Sequence, residues 1–521
     1  MPVKPLRVVI IKPSKYGVDG RVERFRRGFM PNSTLPHMAS MTPPQLGDCR
    51  VDVHAIDEYV EVDLDYLRLL ERDADCTTLV ALAGVQSHQF HRALDLAAYA
   101  RVHGVEHVVI GGPHAMTCDT TAVQGRGISV ALAEAELIWP RILGDAVAGA
   151  LQPLYGTGQA WQEDLDPPAL IPPTELSLRR YAVQMLGVYP ARGCPYRCNF
   201  CSVIKIAGRR IRSQPVETTM ATLRAAKAAG ILLVMFTTDN FNKYPEAEVL
   251  LQAMIDERLE LPFFVQCDTQ VVRQPRFVEL LARAGCYQMF VGVESFDRRV
   301  LLEAHKNQNH PEHYRDLVRL CREHGIGSHF SNIIGFPNDT QKTVLEQLRL
   351  LRDMSPDLAS FYLLTPIPGT EQYDEFLRND LITEPNLDRF DGTYPTWRHP
   401  HLSAAQQFDL LYRCYREFYS LPDAVTKSAR WLWQKRRSPN ILLKIATAAY
   451  SFLSRYSATR RQHPMAGGMH RVAIDSVADY GELRRRTYGF ELAPLPQWLQ
   501  RGTAGVTKSP GEKAAPIAIA V

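Results

Sequence analysis

Residues 185–201 read MLGVYPARGCPYRCNFC: a short apolar run, a glycine, then Cys194, Cys198 and Cys201 in the spacing C-x3-C-x2-C. The run predicts a strand, which places the three thiols in the loop directly after it. Three thiolates can each hold one iron of a [4Fe–4S] cluster and leave the fourth iron open, whereas structural zinc or a fully protein-ligated cluster needs four ligands. Zinc completed by a distant His or Cys is the alternative, although the x3/x2 spacing is not that of zinc ribbons. The remaining cysteines, at 49, 76, 118, 267, 286, 321 and 414, are isolated, which argues against a disulfide framework. Cys267 sits beside Gln266 and Asp268 at a predicted strand end and is expected to face the pocket.

Outward from the cysteines the chain alternates. Apolar runs at 185–189, 232–237, 263–266, 289–293, 329–334 and 360–364 are separated by segments with helical spacing of apolar residues. Six β/α units predict a parallel sheet or partial (β/α)6 barrel over 183–385. Residues 151–182 hold the pairs Pro167-Pro168 and Pro172-Pro173 with little periodicity and read as a linker. Over 1–150, runs at 8–11, 51–56, 78–83 and 107–110 alternate with helical patterns at 66–75 and 89–103. The fold class is therefore α/β, with an N-terminal Rossmann-like, doubly wound parallel sheet. Ligands of such sheets sit at the carboxyl ends of the strands, so the loops Lys12–Gly20 and Gly111–His114 are the default pocket walls.

With 521 residues, 45% hydrophobic and 22% charged, the chain has ordinary globular composition and room for two or three domains. A net charge of +4 gives no general attraction to nucleic acid. The N-terminus runs into Val8–Ile11 without a signal-peptide pattern, and no apolar stretch approaches the ~20 residues that cross a bilayer. A cytoplasmic location is the expectation. Residues 386–505 read as a helical, basic C-terminal region and 506–521 as a flexible tail. Within it, 424–474 carries ten Lys or Arg and no Asp or Glu, interleaved with Trp431, Trp433, Ile445 and Phe452. Such a segment either packs on the core with a solvated basic face or lies on an anionic membrane, peripheral to its inner face.

The cysteine loop resembles that of the radical S-adenosylmethionine (SAM) superfamily, C-x3-C-x-aromatic-C, matched by Cys194, Cys198, Phe200 and Cys201. The resemblance implies a [4Fe–4S] cluster on the three cysteines, which become the catalytic and metal-binding residues. It implies SAM chelated by the open iron and cleaved to methionine and a 5′-deoxyadenosyl radical, with Phe200 near the adenine. It also implies an electron donor such as flavodoxin or ferredoxin. Asp239, in the segment Phe236–Asn240, stands where the family often has Gly-Gly-Glu, whose glycines are absent here. Gly292-Val293-Glu294-Ser295 is similar to the family's Gly-x-Glu-Ser, whose Glu reaches SAM. Gln266, at the end of the third barrel strand, joins the expected contacts. Ile334–Pro337 and Thr365–Thr370 resemble the turns after the fifth and sixth strands.

The N-terminal region resembles the cobalamin-binding domain that precedes this barrel in one large subgroup. The resemblance rests on VIGGPHA at 109–115, AEAELIWP at 133–140 and the order of domains. It makes Gly111, Gly112, Pro113 and His114 the expected cobalamin contacts. Asp52-Val53-His54 matches only the first half of the Asp-x-His-x-x-Gly motif of cobalamin mutases, so His54 reads as a core or surface histidine. The implied function is cobalamin-dependent methylation of an unactivated carbon in a small-molecule or lipid-like substrate. The alternative is a radical cyclase or rearrangement without methyl transfer. A cluster kept only for stability or redox sensing, and a methylthiotransferase, are the remaining rivals. For the latter, Cys49, Cys76 and Cys118 lack the clustering a second iron site requires.

Overall fold

The computed structural model describes residues 4–472 apart from 122, 125, 159, 174 and 435–440. The expected tail at 506–521 and the part of the basic region beyond 472 lie outside the described residues. The N-terminal part contributes β1 (Leu6–Lys12), β2 (Phe25–Gly28), β3 (Gln45–Leu46), β4 (Cys49–Asp57), β5 (Thr77–Leu82), β6 (His107–Gly111), β7 (Ser129–Ala131) and β8 (Leu154–Tyr155). All but β2 form one sheet in the order β3-β4-β1-β5-β6-β7-β8, parallel except for the antiparallel β3–β4 edge. Val9 and Ile11 pack under the helix Phe90–Val102, while Leu6, Val8 and Ile10 pack under the helix Ala135–Val147. Burial on both faces is why Val8–Ile11 reads as a continuous apolar run rather than an alternating one.

The pattern at 66–75 predicts a helix, and the structure instead has a short 3-10 turn, Asp65–Leu70. The side chain of Asp73 accepts from the Asp75 amide at 2.9 Å and turns the chain there. The proline-rich stretch after 150 supplies β8, which pairs with β7, and buries Leu165 and Leu170.

The second sheet consists of β9 (Met185–Val188), β12 (Leu233–Phe236), β13 (Phe263–Cys267), β14 (Cys286–Glu294), β15 (Gly327–Ile334) and β16 (Leu358–Leu363). Between β9 and β12 lies the small antiparallel pair β10 (Ala191–Arg192) and β11 (Arg212–Ser213). The six strands pair in parallel in chain order, and among the described residues no pairing joins β9 to β16, so the barrel is open. Val234, Phe236, Val265, Val291 and Phe330 point outward into the large core beneath the crossover helices. Met185, Leu233 and Tyr287 gather around Trp431, which plugs the amino end of the barrel. Trp431 Nε1 donates to Tyr287 Oη at 3.1 Å, and a Cβ at Gly327 would stand 2.3 Å from its ring.

Trp431 belongs to the helix Leu421–Gln434, which follows Ala404–Phe418 and precedes Ile441–Thr459. Two cations expected on a solvated face turn inward: Arg430 pairs with Asp357 at 3.2 Å, and buried Lys427 donates to the Phe418 carbonyl, whereas Arg461 pairs with Asp409 at the surface. Leu421, Val425, Trp433, Ile445 and Phe452 remain exposed. The chain then returns to the N-terminal part, where β17 (Gly468–Arg471) pairs antiparallel with β2 in a separate two-stranded sheet.

Candidate active site

The cysteine loop is fixed from three sides. Gly193 has φ 104°, and its amide donates to Asp239 Oδ2 at 2.9 Å; a Cβ there would lie 2.3 Å from the Arg210 carbonyl oxygen. This approach is open to glycine alone. The Asn199 amide donates to the Ala304 carbonyl at 3.2 Å, and the Asn199 carbonyl accepts from the Gln372 amide at 3.0 Å. Phe200 meets Phe336 edge to face at 6.0 Å, with the Lys306 amine 5.8 Å from its ring centre.

The sulfurs have donors of their own. Asn240 Nδ2 donates to Cys194 Sγ at 3.1 Å and Gln308 Nε2 to Cys198 Sγ at 3.7 Å. Burial pushes the Cys201 thiol up to about 12 and raises that of Cys194, so iron must displace these protons to bind. Among the described residues no three His, Cys, Asp or Glu side chains converge as ligands of a single ion. Asn240, Gln308 and the Lys306 cation suit an anionic iron–sulfur group, so the residues present fit a cluster.

Glu294 ends β14 with φ 61°, where the pairing with β15 shifts register. Its Oε1 accepts from Lys306 Nζ at 2.7 Å, and a Cβ at Gly292 would meet that oxygen at 2.5 Å. The glycine of this motif therefore clears space for the Glu–Lys pair to fold back over the strand. Gln266 is half-buried opposite Phe290 in the β13–β14 pairing, on the face of β13 opposite Val265 and Cys267.

Three of the expected residues do not line the cavity. Cys267 points with Val265 into the outer core rather than toward the pocket, because successive strand residues alternate faces. Ser295 is 1% exposed; it donates to Gln347 Oε1 at 3.0 Å and accepts from the Asp297 amide, fastening the helix Gln341–Met354. His114 lies in the helix Pro113–Thr117 and turns back onto Phe90, ring centres 3.8 Å apart, where burial lowers its pKa to about 3. The loop after β1 does not reach the cavity described next, which takes only Lys12 at the end of the strand; Ser14 and Lys15 bind Glu58 and Asp391 instead.

A cavity of about 770 Å³ lies where the carboxyl ends of both sheets face each other. Its floor is small: Ala81, Ala83, Gly84, Gly111, Gly112 and Ala131 cap the N-terminal strands. The roof is Met235, Thr237 and Asp239 from the barrel, with Ile206 and Ala207 just beyond the cysteine loop. Lys12 Nζ reaches Gln89 Oε1 at 2.7 Å on this wall, and burial lowers its pKa to about 8. A floor of glycine and alanine fits a broad flat ligand such as a corrin, because it lets one approach the backbone.

Gly112 is decisive there. Its φ is 136°, and a Cβ would stand 2.2 Å from the Val85 amide nitrogen. Gly112→Ala is expected to destabilise the protein by about 2 kcal/mol or more, read by thermal unfolding. Cobalamin retention should fall with it.

The segment 133–140 joins the two sheets. Glu134 takes both terminal nitrogens of Arg212, at 2.6 and 2.7 Å, and Glu136 takes Arg192 together with His37 Nε2 at 2.6 Å. The Arg192 guanidinium holds the Glu136 carboxyl far below its ordinary range. Ser33 packs so close to β9 that a Cβ at Gly187 would overlap its Oγ at 1.7 Å. The partners Arg192, Arg212 and His37 are far away in sequence, and no local pattern marks them.

Residues 188–351 match the family model described as the radical SAM superfamily. An uncharacterised methyltransferase of Pyrococcus horikoshii is 25% identical over 458 residues, 82% of this chain and 95% of its own. The bacteriochlorophyllide d C-12(1)-methyltransferase of Chlorobaculum tepidum is 24% identical, covering 63% of this chain and 72% of its own. Among solved structures, the radical SAM methyltransferase TsrM of Kitasatospora setae, with cobalamin and a [4Fe–4S] cluster bound, superposes with a TM-score of 0.59. It is 17% identical and covers 87% of this chain and 98% of its own.

Proposed function

We propose that this chain, whose residues 188–351 form a radical SAM domain, is a cobalamin-dependent radical SAM methyltransferase acting on an unactivated carbon of a small-molecule or lipid-like substrate. The observation that carries the reading is the cavity of about 770 Å³ between the two sets of strand ends, floored by small residues and roofed next to the cysteine loop. When bound, the cluster supplies the electron that cleaves SAM, and cobalamin carries the methyl group.

The chain's own residues hold and orient these groups. Cys194, Cys198 and Cys201 are the cluster ligands, with Asn240 and Gln308 donating to their sulfurs. Asp239, Glu294 and Gln266 are the proposed SAM contacts from three barrel strands, and Phe200 borders the adenine. Gly111, Gly112 and Pro113 would admit the corrin at the carboxyl end of β6. Residues 1–150 form the cobalamin module and 183–385 the catalytic barrel, joined by 151–182. A flavodoxin or ferredoxin is the proposed electron donor. No described helix is long and apolar enough to cross a membrane. Peripheral contact through 424–474 is proposed on the exposed Trp433, Ile445 and Phe452.

The test is product balance. In the presence of substrate, two SAM molecules are expected to be consumed per methylated product, one yielding 5′-deoxyadenosine and one S-adenosylhomocysteine, quantified by mass spectrometry. Deoxyadenosine alone, with no methyl incorporation, would contradict methyl transfer and favour a cyclase or rearrangement.

A further inference from the structure

Inside the barrel, apart from the cysteines, a chain of hydrogen bonds ends on a poor acceptor. Gln288 Nε2 donates to His329 Nδ1 at 2.9 Å, which leaves the imidazole proton on Nε2, and His329 gives it to Ser360 Oγ at 2.6 Å. Ser360, fully buried, directs its hydroxyl at Met465 Sδ beside the Tyr362 hydroxyl, and Tyr362 Oη points at the same sulfur from 3.6 Å. A thioether is a weak acceptor, and buried hydroxyls ordinarily find oxygen or nitrogen. The charges nearby are compensated. Burial keeps His329 uncharged, Glu294 and Lys306 cancel each other at 2.7 Å, and Phe290 stands edge-on to the His329 ring at 4.8 Å.

Met465 also lines the large cavity. Its side chain is thus the partition between that cavity and two hydroxyl donors. It sits between the helix Ile441–Thr459 and β17, outside both elements. Unbranched methionine repacks into irregular space at little cost.

We propose that Ser360 and Tyr362 form a substrate subsite for a neutral oxygen acceptor, a carbonyl or hydroxyl carried on an apolar frame, and that Met465 occupies the acceptor position until substrate displaces it. Calling the ligand a substrate rests on the methyltransferase reading. The hydrogen-bond geometry does not. An oxygen lone pair is the better acceptor, so exchange of sulfur for oxygen strengthens both donors' bonds. A carboxylate is disfavoured, because the nearby Lys306 cation is already paired with Glu294.

The experiment uses full-length reconstituted protein and fluorine NMR with three probes: 4-fluoroacetophenone, its hydrocarbon counterpart 4-fluoro-α-methylstyrene, and 4-fluorobenzoate. In Met465→Ala the ketone is expected to bind about tenfold more tightly than the hydrocarbon, the factor one neutral hydrogen bond provides. Adding Ser360→Ala and Tyr362→Phe should abolish the preference and leave hydrocarbon binding unchanged. Wild-type protein, in which the ketone must displace Met465, should show the same order of affinities at weaker binding. This keeps the test independent of how well the variants fold. Equal binding of ketone and hydrocarbon, a preference that survives loss of both hydroxyls, or tightest binding of the benzoate would each overturn the subsite. No turnover is needed. A failure of the two-SAM product balance would therefore remove the methyltransferase reading and leave the binding result standing, and the reverse outcome would remove the subsite alone.

Discussion

Cys198→Ala is expected to reduce 5′-deoxyadenosine formation to background and to abolish the visible absorption of the reconstituted cluster. Cys198 is buried, its sulfur accepts from Gln308, and the loop around it is held by Asn199 at the Ala304 and Gln372 backbone. Alanine leaves that scaffold in place while removing one of three protein ligands. No spare thiol is at hand, since Cys267 faces the outer core. The loss should therefore be one of chemistry rather than of folding, with an unchanged melting temperature in the metal-free protein. Deoxyadenosine formation that persists in this variant contradicts the assignment of the cluster.

The second large effect is on stability. Glu58 is fully buried where β4 ends, and its carboxylate takes Arg92, Arg24 Nη2 at 3.0 Å, the Tyr66 hydroxyl and the Ser14 amide at 3.0 Å. Removing the charge with Glu58→Gln strands two buried guanidinium groups, which costs about 3–5 kcal/mol. That is a large share of the roughly 5–15 kcal/mol available to a typical domain. Burial alone would raise this carboxyl, yet Arg92 and Arg24 bring it down from 4.5 to about 2. A depressed folded-state value means the contribution is complete above pH 4.5 and is lost as pH falls toward 2. Wild type should accordingly lose stability steeply over that window in urea titrations, and Glu58→Gln should show a flatter profile. Equal stability of the two proteins at pH 7 would contradict the account of this network. Because Ser14 leads the loop after β1, a loosened Glu58 is also expected to disturb the wall that Lys12 provides.

What was legible in the sequence follows from the range of each interaction. The cysteine loop was readable because its ligands are contiguous. The barrel strands were readable because β-branched and aromatic runs repeat between helical patterns, and each expected run falls on a strand. Side-chain direction was harder to read. Cys267 and Gln266 are neighbours, so strand alternation allows only one of them to face inward, a constraint already present in the pattern. His114 follows Gly112 and Pro113 into a helix start, which swings it away from the cavity that its two predecessors line. Lys306, Gln308, Arg192 and Arg212 carried no local signal, since each acts on a group brought near only by the folded chain. The acidic pair at 134 and 136 stands out in the sequence, but its partners are barrel arginines more than fifty residues away.

The most direct test of the central claim is anaerobic reconstitution with iron, sulfide and hydroxocobalamin, followed by desalting and a count of cobalt and iron per chain. The account predicts about one cobalt retained per chain beside an intact cluster. A protein that builds the cluster yet releases all its cobalt on desalting would contradict it, and the cavity between the two sheets would then belong to another ligand.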